Sequence, residues 1–167
     1  MALVTGDPAS LAATASALAS LAARLGQSAT ELTSRPGPGA PRLPWATRRV
    51  VVEVGESARI TAQLSRRFAA LLQQAAYEQA NAAHRLAALG EAAQAAGLAL
   101  GEDGITRPLG VSGVADAGPI VARERALADL RAQYQAETDG IRARAEELCT
   151  ELTWLARQFT GVADGLR

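Results

Sequence analysis

A large apolar side chain returns at every seventh position through the last fifty residues of the chain: Ile120, Leu127, Tyr134, Ile141, Leu148, Leu155 and Val162. An ideal straight helix drifts away from a repeat of seven. A strict repeat therefore keeps one seam facing a neighbour and favours left-handed supercoiling. Beside this seam the second apolar position changes spacing. Leu130 follows Leu127 at three, whereas Ala145, Leu152, Phe159 and Leu166 follow their seam residues at four, so the stripe broadens toward the C-terminus.

The same repeat governs the opening of the chain. Asp7-Pro8 predicts a helix start, because the carboxylate can accept from unpaired backbone N–H groups and proline tolerates the first turn. Leu11, Leu18, Leu25 and Leu32 recur at sevens from there, and Ala15, Ala22 and Ala29 each follow four residues behind. The pattern reads as a leucine ridge beside an alanine groove. Prolines and glycines between Ser34 and Pro44 end the helix. Pro44 can open the next one, with Trp45 in its first turn. Val50-Val51-Val52-Glu53-Val54 has high β propensity, yet a helical phase runs through it: Val54, Thr61, Phe68, Ala75, Ala82, Leu89 and Ala96. Helix is the better assignment, with Gly55 and Gly90 as candidate bends or close crossings.

Together these patterns predict an all-α fold. It is an elongated antiparallel helical bundle of three long helices with coiled-coil-like seven-residue repeats, in a single domain over 1–167. Helix one covers about 8–33, a Pro/Gly turn 34–44, helix two about 45–98, a slack or disordered linker 99–118, and helix three about 119–165. Polar residues on the second seam row, Glu137 and Thr138, lie near Gly140 and suggest a kink in helix three.

Chemistry is sparse by comparison. Aromatic residues make up only 4% of the chain and alanine dominates its apolar share, so helices can approach closely with few bulky anchors between them. The net charge of zero removes the usual electrostatic case for nucleic acid or for an anionic membrane. Locally, Arg35 to Arg67 holds seven Arg against Glu53 and Glu56, a feature that suits either an acidic partner or a solvated face. His84 and Cys149 are the sole members of their types and cannot supply a common zinc set. Glu146, Glu147 and Glu151 interleave with Arg142 and Arg144, as surface ion pairs on a helix do. Gly101-Glu-Asp-Gly104 lacks the ligand spacing of a calcium loop, and no glycine-rich phosphate loop follows a strand. The expectation is a non-enzyme with no cofactor and no metal.

No basic residue precedes the N-terminal apolar stretch, which speaks against a Sec signal peptide. No uninterrupted apolar run reaches the length of a membrane span. Three amphipathic helices of unequal length leave part of a leucine and alanine stripe uncovered, and such a stripe is a partner site. The candidate partner-binding residues are Leu11, Leu18, Leu25, Leu32, Trp45, Phe68, Leu148, Leu155 and Phe159, with Trp45 bracing the first turn. The partner is a second helical protein, in a hetero- or homo-oligomer. Membrane association is a less favoured alternative, as is a cytoplasmic self-associating scaffold.

Val4-Thr5-Gly6-Asp7-Pro8-Ala9-Ser10-Leu11, the following Ala/Leu helix, the proline-containing turn and the Ala-rich second helix with Phe68 and Tyr77 resemble the actinobacterial type VII secretion helical-hairpin superfamily. Within it the likeness is to the Trp-x-Gly proteins and, more closely, to the mycobacterial Pro-Glu proteins and related effector or partner modules, over about residues 1–98. The resemblance implies a hairpin that pairs with a second hairpin into a four-helix bundle, often a heterodimer, and that leaves the cell without a Sec signal. It thus implies a partner, adaptor or targeting subunit that is cytoplasmic or co-exported. Several motif positions depart from the families. Trp45-Ala46-Thr47 stands in place of Trp-x-Gly, and Pro8-Ala9 in place of Pro-Glu. The export motif of Tyr followed four residues on by an acid is absent, since Asn81 follows Tyr77 and Thr138 follows Tyr134.

Overall fold

The structure, a computed structural model, describes residues 7–34, 44–101, 104–107 and 117–165. About 90% of these are helical, so the fold is all-α. In chain order the elements are α1 (Pro8–Thr33), α2 (Trp45–Ala95), β1 (Ala99–Gly101), β2 (Gly104–Thr106) and α3 (Ala117–Asp164). The chain divides into two compact units. Of the described residues, one comprises those within 7–76 and 148–165, and the other those within 77–147. Helices α2 and α3 each contribute to both.

In the first unit, α1 starts as its sequence dictates. The Asp7 carboxylate accepts from the Ala9 and Ser10 amides at 3.1 Å each and from the Ser10 hydroxyl at 2.9 Å, with Pro8 in the first turn. These bonds, the Ser10 hydroxyl foremost and then the Ala9 amide, hold the Asp7 carboxyl below its ordinary value. The helix ends where the Ser34 amide and hydroxyl both donate to the Thr30 carbonyl.

The core of this unit is built from the smallest side chains. Ala15, Ala22 and Ala29 of α1 are buried, as are Ala62, Ser65, Ala69, Leu72 and Ala76 of α2. Gly55 is buried beside them, and a Cβ there would lie 2.6 Å from Thr33 Cγ2. Farther along, a Cβ on Gly26 would lie 2.8 Å from Arg66 Nη2 and 3.9 Å from Ala62 Cβ. Positions therefore rise along α1 as their neighbours fall along α2. From α3, Leu155 is fully buried, and the Arg67 guanidinium stacks 4.8 Å above the Trp154 ring.

In the first unit this burial corrects the predicted phase of helix two. The first four members of the column, Val54, Thr61, Phe68 and Ala75, are exposed or half-buried, and the neighbours one residue on, Gly55, Ala62, Ala69 and Ala76, are buried instead, whereas in the second unit the column's next member, Ala82, is buried as expected. Helices approach most closely where side chains are smallest, so alanine and glycine take the innermost positions and the larger residues splay to the flanks.

The second unit closes around a hairpin that the sequence reading misses. At the end of α2, Gly97 takes φ +69°, the Leu98 amide donates to the Ala93 carbonyl at 2.8 Å, and the Gly97 amide donates to the Gln94 carbonyl at 2.9 Å. Two last-turn carbonyls are thereby satisfied and the chain is turned back sharply. Where 99–118 reads as a slack linker, β1 and β2 pair antiparallel, with Ala99 opposite Thr106, Leu100 opposite Ile105 and Gly101 opposite Gly104. Each strand has three residues, too few for a period-two signal. The hairpin is held by burial. Ile105 packs in one cluster with Ala93, Leu98, Leu127 and Leu130, flanked by Leu89, Ala96 and Tyr134. Arg131 Nε donates to the Ile105 carbonyl at 2.8 Å, and Arg107 pairs with Glu124 at 3.0 Å. Gly104 takes φ +100°, and a Cβ there would meet the Tyr134 ring at 3.4 Å.

Along α3 the seven-residue column is buried or half-buried from Leu127 to Val162, but its first member, Ile120, is 47% exposed. Ala145 is exposed, so the second row does not broaden the buried stripe at that point. Leu166 lies outside the described residues. Val50 to Val54 are helical despite their β propensity, as a continuous part of α2.

Candidate partner surface

All nine residues that the sequence nominates for partner binding fall within the first unit. They are not equally available. Leu11, Leu18 and Leu25 are half-buried beside the alanine column of α1, and Leu32 is exposed. Phe68, Leu148 and Phe159 are half-buried. Leu155 is the exception that must be withdrawn: with 0% of its surface accessible it is a core residue and cannot meet a partner. Trp45 lies at the other extreme. It is 73% exposed, and the turn it is expected to brace lies, at 35–43, outside the described residues.

Exposed apolar residues that the sequence did not nominate sit near these. Leu21 lies on α1, Trp154 on α3, and Val50, Val52 and Val54 on the first turns of α2. The valine run was visible in the sequence as β propensity, a signal that says nothing of exposure. The leucine ridge of α1 is the most regular of these features. Leu11, Leu18, Leu25 and Leu32, with Leu21 next to them, form one flank whose bulky side chains are less covered than the alanines they adjoin.

The charges largely neutralise one another locally. In the arginine-rich stretch, Arg49 pairs with Glu53 at 2.7 Å and Arg59 with Glu56 at 2.5 Å, which accounts for both acids there. The Arg59 hydrogen bonds lower the Glu56 carboxyl below its ordinary value, and Glu53 raises Arg49. In the second unit Arg144 bridges Glu78, at 2.8 Å, and Glu147, and both carboxylates raise its guanidinium, Glu78 first. Arg142 bonds Asp139.

Also in the second unit, Arg85, Ala88, Leu89, Gln133, Ala136 and Glu137 line a groove of about 340 Å³. Arg85 and Glu137 neutralise each other across it at 2.7 Å, so its floor offers no uncompensated charge. Among the described residues no three His, Cys, Asp or Glu side chains converge. Cys149 is exposed and unbridged. By length and composition α1 is sufficient to cross a membrane, a criterion that core helices of soluble proteins and N-terminal signals also meet. No family model, curated protein or solved structure matches the chain.

Proposed function

We propose that this chain is a non-enzymatic helical interaction module that receives a helix from a second protein on the leucine ridge of α1. In this reading the three helices associate as an antiparallel bundle with seven-residue seams, and the partner supplies a further helix. The observation that carries it is the inverted order of burial in the first unit: alanines are innermost, while Leu11, Leu18, Leu25, Leu32 and Leu21 are left partly or fully open. A self-sufficient core places its largest apolar side chains deepest, where each buried methylene contributes about 0.8 kcal/mol. An open leucine row beside a closed alanine row suits a helix laid along it.

The likeness of residues 1–98 to type VII secretion hairpins supports a role as partner, adaptor or targeting subunit for a substrate of such a system. It also supports a cytoplasmic chain that is co-exported with a partner carrying the export motif. The test is photo-crosslinking from Leu18 and Leu25 in the native host. Recovery of one helical protein, and loss of that crosslink in L18E/L25E at unchanged helicity, supports the reading. A monomer that yields no crosslink in its host overturns it. Crosslinks only to the same chain identify a self-associating scaffold instead.

A further inference from the structure

In the arginine-rich stretch of α2, Arg49 and Arg59 take the two acids, and Arg66 and Arg67 are left over. No Asp or Glu lies between Glu56 and Glu78 in sequence. Among the described residues neither guanidinium has a carboxylate partner. Both side chains are exposed, yet each is held by a neighbouring helix. Arg66 lies against α1 at Gly26, where the backbone is bare and a Cβ would fall 2.8 Å from Nη2. Arg67 lies over the Trp154 ring of α3, 4.8 Å from its centroid and within cation–π range. An exposed ion pair is weak in part because two long side chains must be ordered to form it. Here the basic member of each pair is ordered beforehand.

The two arginines also flank one stripe. At 100° per residue Gln63 and Ala70 fall between them around α2, exposed and uncharged, with Arg66 on one side and Arg67 on the other. Where helices pair, charges in such flanking positions select a partner of opposite sign. The stripe suits a helix whose own small side chains lie on Gln63 and Ala70 and whose Glu or Asp side chains reach Arg66 and Arg67. A guanidinium matches a carboxylate through two parallel hydrogen bonds. Nucleic acid is a poorer match, since two cations do not neutralise the run of phosphates that sustains such binding.

We infer that the outer face of α2 at Arg66 and Arg67 docks an acidic helix of another protein. This goes beyond the leucine-ridge reading and uses another face, because on α1 Gly26 stands on one flank of Ala22 while Leu18 and Leu25 stand on the other. Trp45 and Trp154 are the only tryptophans, so W45F leaves Trp154, stacked on Arg67, as the single indole emitter.

The experiment titrates the full W45F chain with a synthetic helix whose alanine row is flanked on both sides by Glu, with its counterpart bearing Lys in place of Glu, and with duplex DNA. The Glu helix should bind, change Trp154 emission by drawing on Arg67, and bind less as salt rises. With a labelled Glu helix followed by anisotropy, R66Q/R67Q should weaken binding about tenfold and W154A about threefold. Gly26→Ala keeps both arginines and displaces Arg66 from α1, so it should weaken binding in the same direction at full helicity. R24Q/R157Q removes the same charge from other exposed positions of the first unit and should bind like the parent. The inference is overturned if R66Q/R67Q binds the Glu helix like the parent, if R24Q/R157Q weakens it as much, or if the Lys helix binds equally. Tighter binding of duplex DNA than of the Glu helix overturns it as well, and would make a nucleic acid the ligand.

Discussion

The two units bury different things. Among the described residues of the first unit, Leu72 and Leu155 are the only large buried apolar side chains, and the rest are alanine. The second buries Leu98, Ile105, Leu127 and Leu130 together with Ala82 and Ala93. Alanine removes little apolar surface from water, so the first unit gains its cohesion from close backbone approach, and the second from a cluster of branched side chains under a hairpin. A unit of the first kind leaves bulky residues at its flanks, available to something else. One of the second kind uses them.

The sharpest way to break this contrast is to remove the keystones. Ile105→Ala should cost about 2–5 kcal/mol and strip hydrogen-exchange protection from 93–131, because four neighbours lose their common contact. Leu155→Ala should cost a similar amount, with the loss of protection confined to 7–76 and 148–164 instead. Urea unfolding gives the size and exchange mass spectrometry the location. Coincident loss across both regions in either variant would show that the units unfold as one.

A smaller effect probes the alanine column. Ala22→Leu forces a larger side chain into a site with no accessible surface and should destabilise by about 1–3 kcal/mol. Ala19→Leu, on the exposed side of the same helix, should be nearly neutral. If Ala22→Leu is also neutral, the close approach of α1 and α2 is wrong.

Gly55 refines the same point. Alanine is favoured over glycine in a helix by about 1 kcal/mol, and Gly140→Ala, with nothing within 4 Å, should show that gain. Gly55→Ala should not, because its Cβ meets the Thr33 methyl. Thr33→Ser removes that methyl and keeps a hydroxyl, so the G55A/T33S pair should recover the gain that G55A lacks. Thermal melts of the four proteins separate steric conflict from propensity.

The least effect is expected at the α1 cap. The Asp7 carboxyl is held below its ordinary value in the folded chain by the Ser10 hydroxyl and the Ala9 amide. Its contribution is therefore present above the ordinary carboxylate range and fades as pH falls through the depressed value. Asp7→Ala should fray the start of α1 at neutral pH and make no difference once the parent carboxyl is protonated. Exchange at residues 9–12, followed against pH, checks the sign.

Much of the local structure is legible in the residues. Pro8 behind Asp7 marks the start of α1, and the observed Pro8–Thr33 matches the expected bounds. Pro44 followed by Trp45 marks the start of α2. The recurrence from Leu127 to Val162 marks the inward side of α3. The candidate surface was legible only in part. Leu11, Leu18 and Leu25 were found by periodicity, yet the same criterion nominated Leu155, because an inward seam and an outward one repeat identically. The hairpin was invisible for a related reason. Two three-residue strands have no period, and Ile105 acquires its meaning only from Leu127 and Leu130, more than twenty residues later.

The sequence by itself determined where the helices begin, where two of them end and that they are amphipathic, because caps, prolines and side-chain spacing act within a few residues of one another. Only the tertiary structure decided which column faces inward and what the glycine-rich connection does. Close packing ranks positions by how near two backbones can come, so Ala22 and Gly55 are enclosed while Leu32 and Trp45 remain in solvent.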